Sequence, residues 1–239
     1  GTTIRLYDYR NFRQICFHKQ CICNHTDICT KSNQRYRSNS FFSLFSQIFI
    51  LRFINLMGTA VIATKVYASM LANVAYVYAI AVAQATQILL GYLLGARRLE
   101  EVNRRVWSTV RIALVVSELL TLLIFLFCDP IYNLFTTDPA IHALGRQIVL
   151  VEFALEIGRA VNIVMVRGLT TAGDVWFPVM VGIFSQWLVA VLGGWALGDL
   201  LGLGLVGIWI AMACDEGLRG ALFVVRFRRG TWRKKRLVE

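Results

Sequence analysis

Charged residues are scarce in this sequence, and the motifs that mark common soluble enzymes are missing. Only 16% of the 239 residues are charged and 57% are hydrophobic, whereas a typical soluble domain has about 25% charged and about 45–50% apolar residues. No glycine-rich phosphate loop follows a strand pattern, and no nucleophile stands beside a base in a known catalytic motif. We therefore predict that the chain is not an enzyme.

Histidines and paired cysteines are missing where a metal or a haem would need them. The three histidines lie outside the long apolar blocks, which argues against a haem-binding membrane cytochrome. Four cysteines fall between Cys16 and Cys29, but their C-x4-C-x-C-x5-C spacing lacks the paired C-x2-C units of common zinc sites. We therefore predict no metal site and no cofactor.

Long apolar runs are what the sequence has instead. A helix needs about 20 mostly apolar residues to cross a hydrocarbon core of about 30 Å. Six blocks reach this length, at residues 44–64, 66–95, 108–128, 147–166, 177–197 and 203–225. Glycine, proline and aspartate separate most of them, as in Gly95, Asp138-Pro139 and Gly198-Asp199. Asp138-Pro139 also predicts the start of a helix. The predicted fold class is all-α, a polytopic membrane protein with six transmembrane helices surrounded by the lipid bilayer.

The net charge of +11 lies mostly in the tails and loops. We predict three parts: a disordered basic leader at 1–40, a six-helix membrane lobe at 41–225 and a basic cytoplasmic tail at 226–239. The leader and the tail hold seven Lys or Arg residues each, and the 96–106 loop holds four. Because basic loops stay in the cytoplasm, both termini of a six-span chain would be cytoplasmic. Basic residues next to apolar blocks favour a multi-pass protein of the cell membrane, and we predict no nucleic-acid partner.

Ionisable residues inside the predicted spans are the candidate functional groups, since each costs roughly 2.5–3.5 kcal/mol at the centre of a membrane helix. Glu152, Glu156 and Arg159 lie on one stripe of the fourth block. Two carboxylates one turn apart repel each other in a low dielectric, so one of them could hold a proton or a cation. A structural ion pair with Arg159 is the alternative.

Other spans carry polar residues that allow a structural interpretation as well as a functional one. Asp215 and Arg219 in the sixth block are spaced to pair, and we favour a structural pair there. Gln84 and Gln87 make the second block polar along part of its length, and helix packing is their simpler interpretation.

Several segments, in order, resemble the C-terminal half of the MATE (multidrug and toxin extrusion) transporters. Ser46-Gln47 and residues 53–59 (FINLMGT) resemble the start of that half, and residues 84–91 (QATQILLG) resemble its polar helix before a basic loop. Residues 156–162 (EIGRAVN), with AGD at 172–174, resemble its tenth span and the following loop. The last span is matched by GIWIA at 207–211 with Asp215-Glu216.

The resemblance implies a function as well as a fold. Family members have twelve spans in two six-helix lobes and export cationic or amphipathic compounds in exchange for Na+ or H+. Glu156 is the best match to a coupling carboxylate, with Glu152 as the alternative. Further candidates for ion coupling or substrate binding are Arg159, Asn162, Gln84, Gln87 and Asp215.

Two departures from the family pattern bear on completeness. Only the second lobe is matched, so a missing N-terminal six-helix lobe is the expected partner, and the chain alone is expected to be inactive. Residues 1–40 do not match the seventh span, which suggests out-of-frame translation ahead of residue 41.

Two alternatives to a multidrug efflux antiporter stay open. They are a lipid-linked oligosaccharide flippase of the same superfamily and an inactive membrane remnant or scaffold.

Overall fold

Helices make up nearly all of the structure, a computed structural model that describes residues 44–234. The predictions for residues 1–40 and for the last five residues lie outside that range. The helices are α1 (Leu44–Asn55), α2 (Thr59–Gly95), α3 (Leu99–Leu126), α4 (Cys128–Asn133), α5 (Pro139–Thr171), α6 (Trp176–Ser185), α7 (Leu192–Trp195) and α8 (Gly204–Arg228). π-Helical turns at Gln186–Val191 and Ala196–Leu200 make one continuous rod of α6 and α7. The all-α prediction is confirmed over the described residues.

Three of these rods are long and apolar enough to cross a membrane: Thr59–Gly95, Leu99–Leu126 and Trp176–Leu200. α5 and α8, at 33 and 25 residues, are also long enough, but the charges near their centres lower their apolar character. α1 is shorter, with 12 residues between Leu44 and Asn55 within the described range. The count of six spans therefore stays a prediction.

The first predicted block, residues 44–64, is divided in the structure, so its predicted end was wrong. α1 ends at Asn55, and α2 begins at Thr59. Between them Gly58 has φ of +103°, a conformation that side-chain-bearing residues rarely adopt and glycine adopts freely. Apolar residues continue through this break, and hydropathy alone does not detect it. α2 is consequently 37 residues long, or about 55 Å.

The predicted basic loop at 96–106 is much shorter than expected. α3 already begins at Leu99. Arg104 and Arg105 therefore lie on the exposed face of this helix and not in a loop. The helix start predicted at Asp138-Pro139 is confirmed, since the Asp138 side chain accepts a hydrogen bond from the Ala140 amide at 2.9 Å.

Side-chain size is distributed as expected for helices that pack together in lipid. The buried positions of α2 are mostly alanine and threonine, which let helix backbones approach closely. Large apolar side chains point outward instead, and Val77, Val115, Phe184 and Leu188 are each more than 60% exposed. The outer surface is therefore suited to hydrocarbon.

α5 is the central helix, and it packs against α2, α3 and α8. Its crossing with α8 depends on glycine. A Cβ atom on Gly158 would lie 2.6 Å from the backbone nitrogen of Gly217, so no larger residue fits without moving one helix. This close contact places the ionisable residues of α5 and α8 side by side.

Candidate functional site

The site is built where α5 crosses α8, because acids and arginines of both helices lie at that crossing. α5 contributes Glu152, Glu156, Arg159 and Asn162, and α8 contributes Asp215, Glu216 and Arg219. The structure thus brings together five of the seven predicted site residues. The two others, Gln84 and Gln87, lie elsewhere on α2.

Arg159 holds the two acids of its own helix. One of its Nη atoms donates to Oε1 of Glu152 at 2.9 Å and also to Oε1 of Glu156. The Glu156 side chain is fully buried and that of Glu152 nearly so. The stripe predicted from the spacing is therefore real, and the structural pairing predicted as the alternative is also present.

The second oxygens of the two glutamates differ. Oε2 of Glu152 accepts a hydrogen bond from the indole nitrogen of Trp209 on α8 at 2.7 Å. Oε2 of Glu156 is buried and has no hydrogen-bond partner among residues 44–234. An unpaired buried carboxylate oxygen is expensive, and among the four acids that bond to Arg159 or Arg219 only Glu156 has such an oxygen within residues 44–234.

A second set of bonds fixes the acids of α8. Arg219 pairs with Asp215 and, at 3.1 Å, with Glu216. The hydroxyl of Ser185 donates to the other Asp215 oxygen, and Asn162 Nδ2 donates to Glu216 at 2.5 Å. Asp215 is thereby satisfied on both oxygens, which agrees with the structural pair predicted from its spacing. Asn162 joins α5 to α8.

The balance of charge in the site is negative. Four carboxylates face two guanidinium groups when all are ionised. Glu118 of α3 adds a further acid that interacts electrostatically with Glu156, and its Oε1 is buried without a hydrogen-bond partner in the described part of the chain. Such a site attracts cations and repels anions.

Glu152 is the charged residue that reaches an opening between α2, α3 and α5. Small or apolar residues line the rest of this cleft, including Ala68, Ala75 and Thr121. The ring of Tyr76 on α2 lies 5.7 Å from the Arg159 guanidinium, in cation–π geometry. Glu152 thus lines a small cleft on the α2–α3 side of the cluster, and an aromatic ring lies beside Arg159.

Gln84 and Gln87 take no part in this network. Gln84 is on the exposed face of α2, while Gln87 accepts a hydrogen bond from Arg167 at 3.3 Å and ties α2 to α5. Two partners of the acids, Trp209 and Ser185, were not predicted as site residues. Neither is ionisable, and each lies 30 or more residues away from the acid that it contacts, so no local spacing could have identified them.

Comparison with known proteins finds similarity to one family of transporters. The family model described as MatE matches residues 38–196. The uncharacterized transporter YisQ of Bacillus subtilis is 32% identical over 190 residues, which are 80% of this chain and 42% of that protein. A probable multidrug resistance protein NorM of Caulobacter vibrioides is 28% identical over 158 residues, 66% of this chain and 34% of that protein.

Solved structures share the fold. The chain matches a MATE transporter, ClbM, in complex with Rb+ with a TM-score of 0.71 and 16% identity, over 86% of this chain and 46% of that one. A eukaryotic MATE transporter, AtDTX14, gives a TM-score of 0.73 and 18% identity, over 87% and 46%. The chain therefore spans less than half the length of the proteins that it resembles.

Proposed function

Because this chain belongs to the MatE family, whose members are membrane transporters and not enzymes, we propose that it forms the C-terminal lobe of a multidrug efflux antiporter. The lobe contributes an ion-coupling site centred on Glu156, and transport uses an inward gradient of Na+ or H+. The observation that carries this proposal is the buried Glu156 oxygen without a partner among residues 44–234.

Glu156 acts in this proposal by exchanging its charge state. A proton or Na+ at Oε2 neutralises the carboxylate and weakens its attraction to Arg159. When that ion leaves, the site regains its negative charge and attracts a cationic substrate. Ion and cationic substrate both neutralise the negative charge of Glu156, so the binding of one weakens the binding of the other. This coupling is strong because the buried site is poorly screened.

The neighbouring residues hold Glu156 in place. Arg159 fixes one oxygen of Glu156 and one of Glu152, and Trp209 fixes the other oxygen of Glu152. Asn162 and Asp215 keep α8 in position through Glu216 and Ser185. Gln84, which is exposed on α2, is available to substrate, and Gln87 supports the helix beside it.

A second six-helix lobe is the partner in this proposal, since the substrate cavity of a two-lobe transporter is shared. Relatives named as probable multidrug resistance proteins support drugs as the substrate class, and the negative charge of the site favours cationic or amphipathic ones. The flippase alternative is not favoured, because the excess of carboxylates over guanidinium groups at the site repels a phosphate-bearing substrate. An inactive remnant would keep the fold but not the ion response tested below.

We place the lobe in the cell membrane with both termini in the cytoplasm. The basic α2–α3 turn and the end of α8 lie at the same end of the bundle, where Arg233 pairs with Glu100 at 2.9 Å, and basic ends stay inside. In a background without native cysteines, an impermeant thiol reagent applied to intact cells should label Thr137→Cys and spare Arg229→Cys. The reverse pattern would refute this orientation.

Infrared difference spectroscopy of the purified chain in detergent tests the coupling residue. A carboxyl band should respond to added Na+ or to pH in the wild type, and Glu156→Gln should remove it because the amide cannot ionise. Glu101→Gln, which alters a surface glutamate paired with Arg98, is the matched control and should keep the band. A band that persists in Glu156→Gln and is lost in Glu152→Gln would move the role to Glu152.

A further inference from the structure

Three exposed arginines lie near one tryptophan at the basic end of the bundle, away from the Glu156 site. The Arg228 guanidinium carbon lies 5.1 Å from the centre of the Trp107 ring, and Arg111 Nε donates to the Trp107 carbonyl at 3.4 Å. Arg104 precedes Trp107 by three residues on the same side of α3. All three arginines are exposed. We call Arg104, Trp107, Arg111 and Arg228 the arginine–tryptophan patch.

Carboxylates of the protein do not neutralise this patch. Within residues 44–234, none of its three arginines forms an ion pair. The two acids at the start of α3 have other partners, since Glu100 pairs with Arg233 at 2.9 Å and Glu101 pairs with Arg98. The patch therefore presents outward positive charge that has no counter-charge in the described part of the chain.

The same face of α3 continues as an apolar stripe. Val115, Leu119 and Leu122 follow Arg111 at helical spacing and are 67%, 53% and 41% exposed. α3 is one of the helices apolar enough to cross a membrane, so this stripe meets lipid tails. Arg111 then stands where tails give way to headgroups, a level that long arginine side chains reach by extending toward the interface.

We propose that the arginine–tryptophan patch binds the phosphate of an anionic phospholipid, whose acyl chains lie along the Val115–Leu122 stripe. Guanidinium groups match phosphate oxygens with paired planar donors, and tryptophan is favoured at the membrane interface. Basic pockets between spanning helices take anionic headgroups by the same chemistry. Because Arg111 is on α3 and Arg228 is on α8, the bound phosphate bridges the two helices. This role is independent of ion coupling at Glu156.

Native mass spectrometry of the full chain tests the proposal. The chain is released from micelles that contain equal amounts of phosphatidylglycerol and phosphatidylcholine, and retained lipids are counted. The wild type should retain phosphatidylglycerol preferentially, and Arg111→Gln with Arg228→Gln should reduce that preference about tenfold. The matched control, Arg105→Gln with Arg229→Gln, removes equal charge from an exposed residue of α3 and from the exposed residue directly after α8, and it should keep the preference.

Three results would overturn the proposal. The preference could survive in the Arg111/Arg228 variant, or the control could lose it equally, which would reduce the effect to overall charge. Free glycerol phosphate could displace phosphatidylglycerol from the patch at similar concentrations, which would show that the patch binds a phosphate group without need of the acyl chains. If circular dichroism shows the double variant to be unfolded, Arg111→Gln alone should still lower the preference. Arg111→Lys keeps the charge but loses the paired planar donors, so it should restore only part of the preference. An unchanged preference in Arg111→Gln would refute the role of Arg111.

Discussion

At the scale of single residues, the difference between Glu152 and Glu156 decides the function assigned to this site. Both share Arg159, but only Glu152 also has the indole of Trp209. The spacing of the sequence predicts that the acids share a stripe. It cannot predict which oxygen is satisfied, because the second partner of Glu152 comes from a helix 57 residues further along the chain.

Trp209→Phe tests the assignment of Glu152 as a positioning residue. The change leaves an aromatic ring in place but removes the N–H donor, so that Oε2 of Glu152 becomes a buried oxygen without its partner. We expect the unfolding free energy to fall by about 1–2 kcal/mol, measured by denaturant titration in detergent micelles.

Trp195→Phe is the matched control for this measurement. Trp195 is 39% exposed, and no hydrogen bond of its indole is part of the network around Glu152. Its replacement should change stability by a few tenths of a kcal/mol at most. Equal losses for the two variants would show that the Trp209–Glu152 bond contributes nothing specific.

At the scale of the helices, backbone contacts and breaks limit what a sequence can predict. The broad positions of the rods follow from their apolar length, and the Asp138-Pro139 start follows from capping chemistry. The break at Gly58 and the π-helical turns in Trp176–Leu200 do not, since apolar residues continue through both and hydropathy does not change there. The early start of α3 was also missed, because a cluster of arginines between two apolar blocks is typical of a loop as well as of an exposed helix face.

Gly158→Ala tests the contact between α5 and α8. The new methyl group would meet the backbone of Glu216 and Gly217 at 2.6–2.9 Å, and neither backbone can move without shifting a helix. We expect a loss of about 1–3 kcal/mol in unfolding free energy, although alanine is the better helix former.

Gly217→Ala is the control in the same crossing. A Cβ at Gly217 would have no neighbour within 4 Å, so this variant should be neutral or slightly stabilising. If Gly158→Ala were as stable as Gly217→Ala, the close approach of the two helices would not hold the site together.

At the scale of the whole molecule, composition alone predicts a helical membrane protein, and the family match and shared fold support that prediction. Completeness is a different matter. The chain spans 42% of YisQ and 46% of ClbM, and an ion-coupled cavity needs walls on both sides. We therefore expect the described lobe to supply the charge that couples transport and a second lobe to complete the pathway.

Ion-driven efflux tests this account most directly. The chain is joined to the N-terminal half of a full-length relative and reconstituted in vesicles, and efflux of a fluorescent lipophilic cation is followed under an imposed Na+ or H+ gradient. We predict efflux by the joined protein and by its Glu101→Gln control, and baseline signal for Glu156→Gln although it inserts normally. Undiminished efflux by the Glu156→Gln protein would contradict the claim that this carboxylate couples the ion to the substrate.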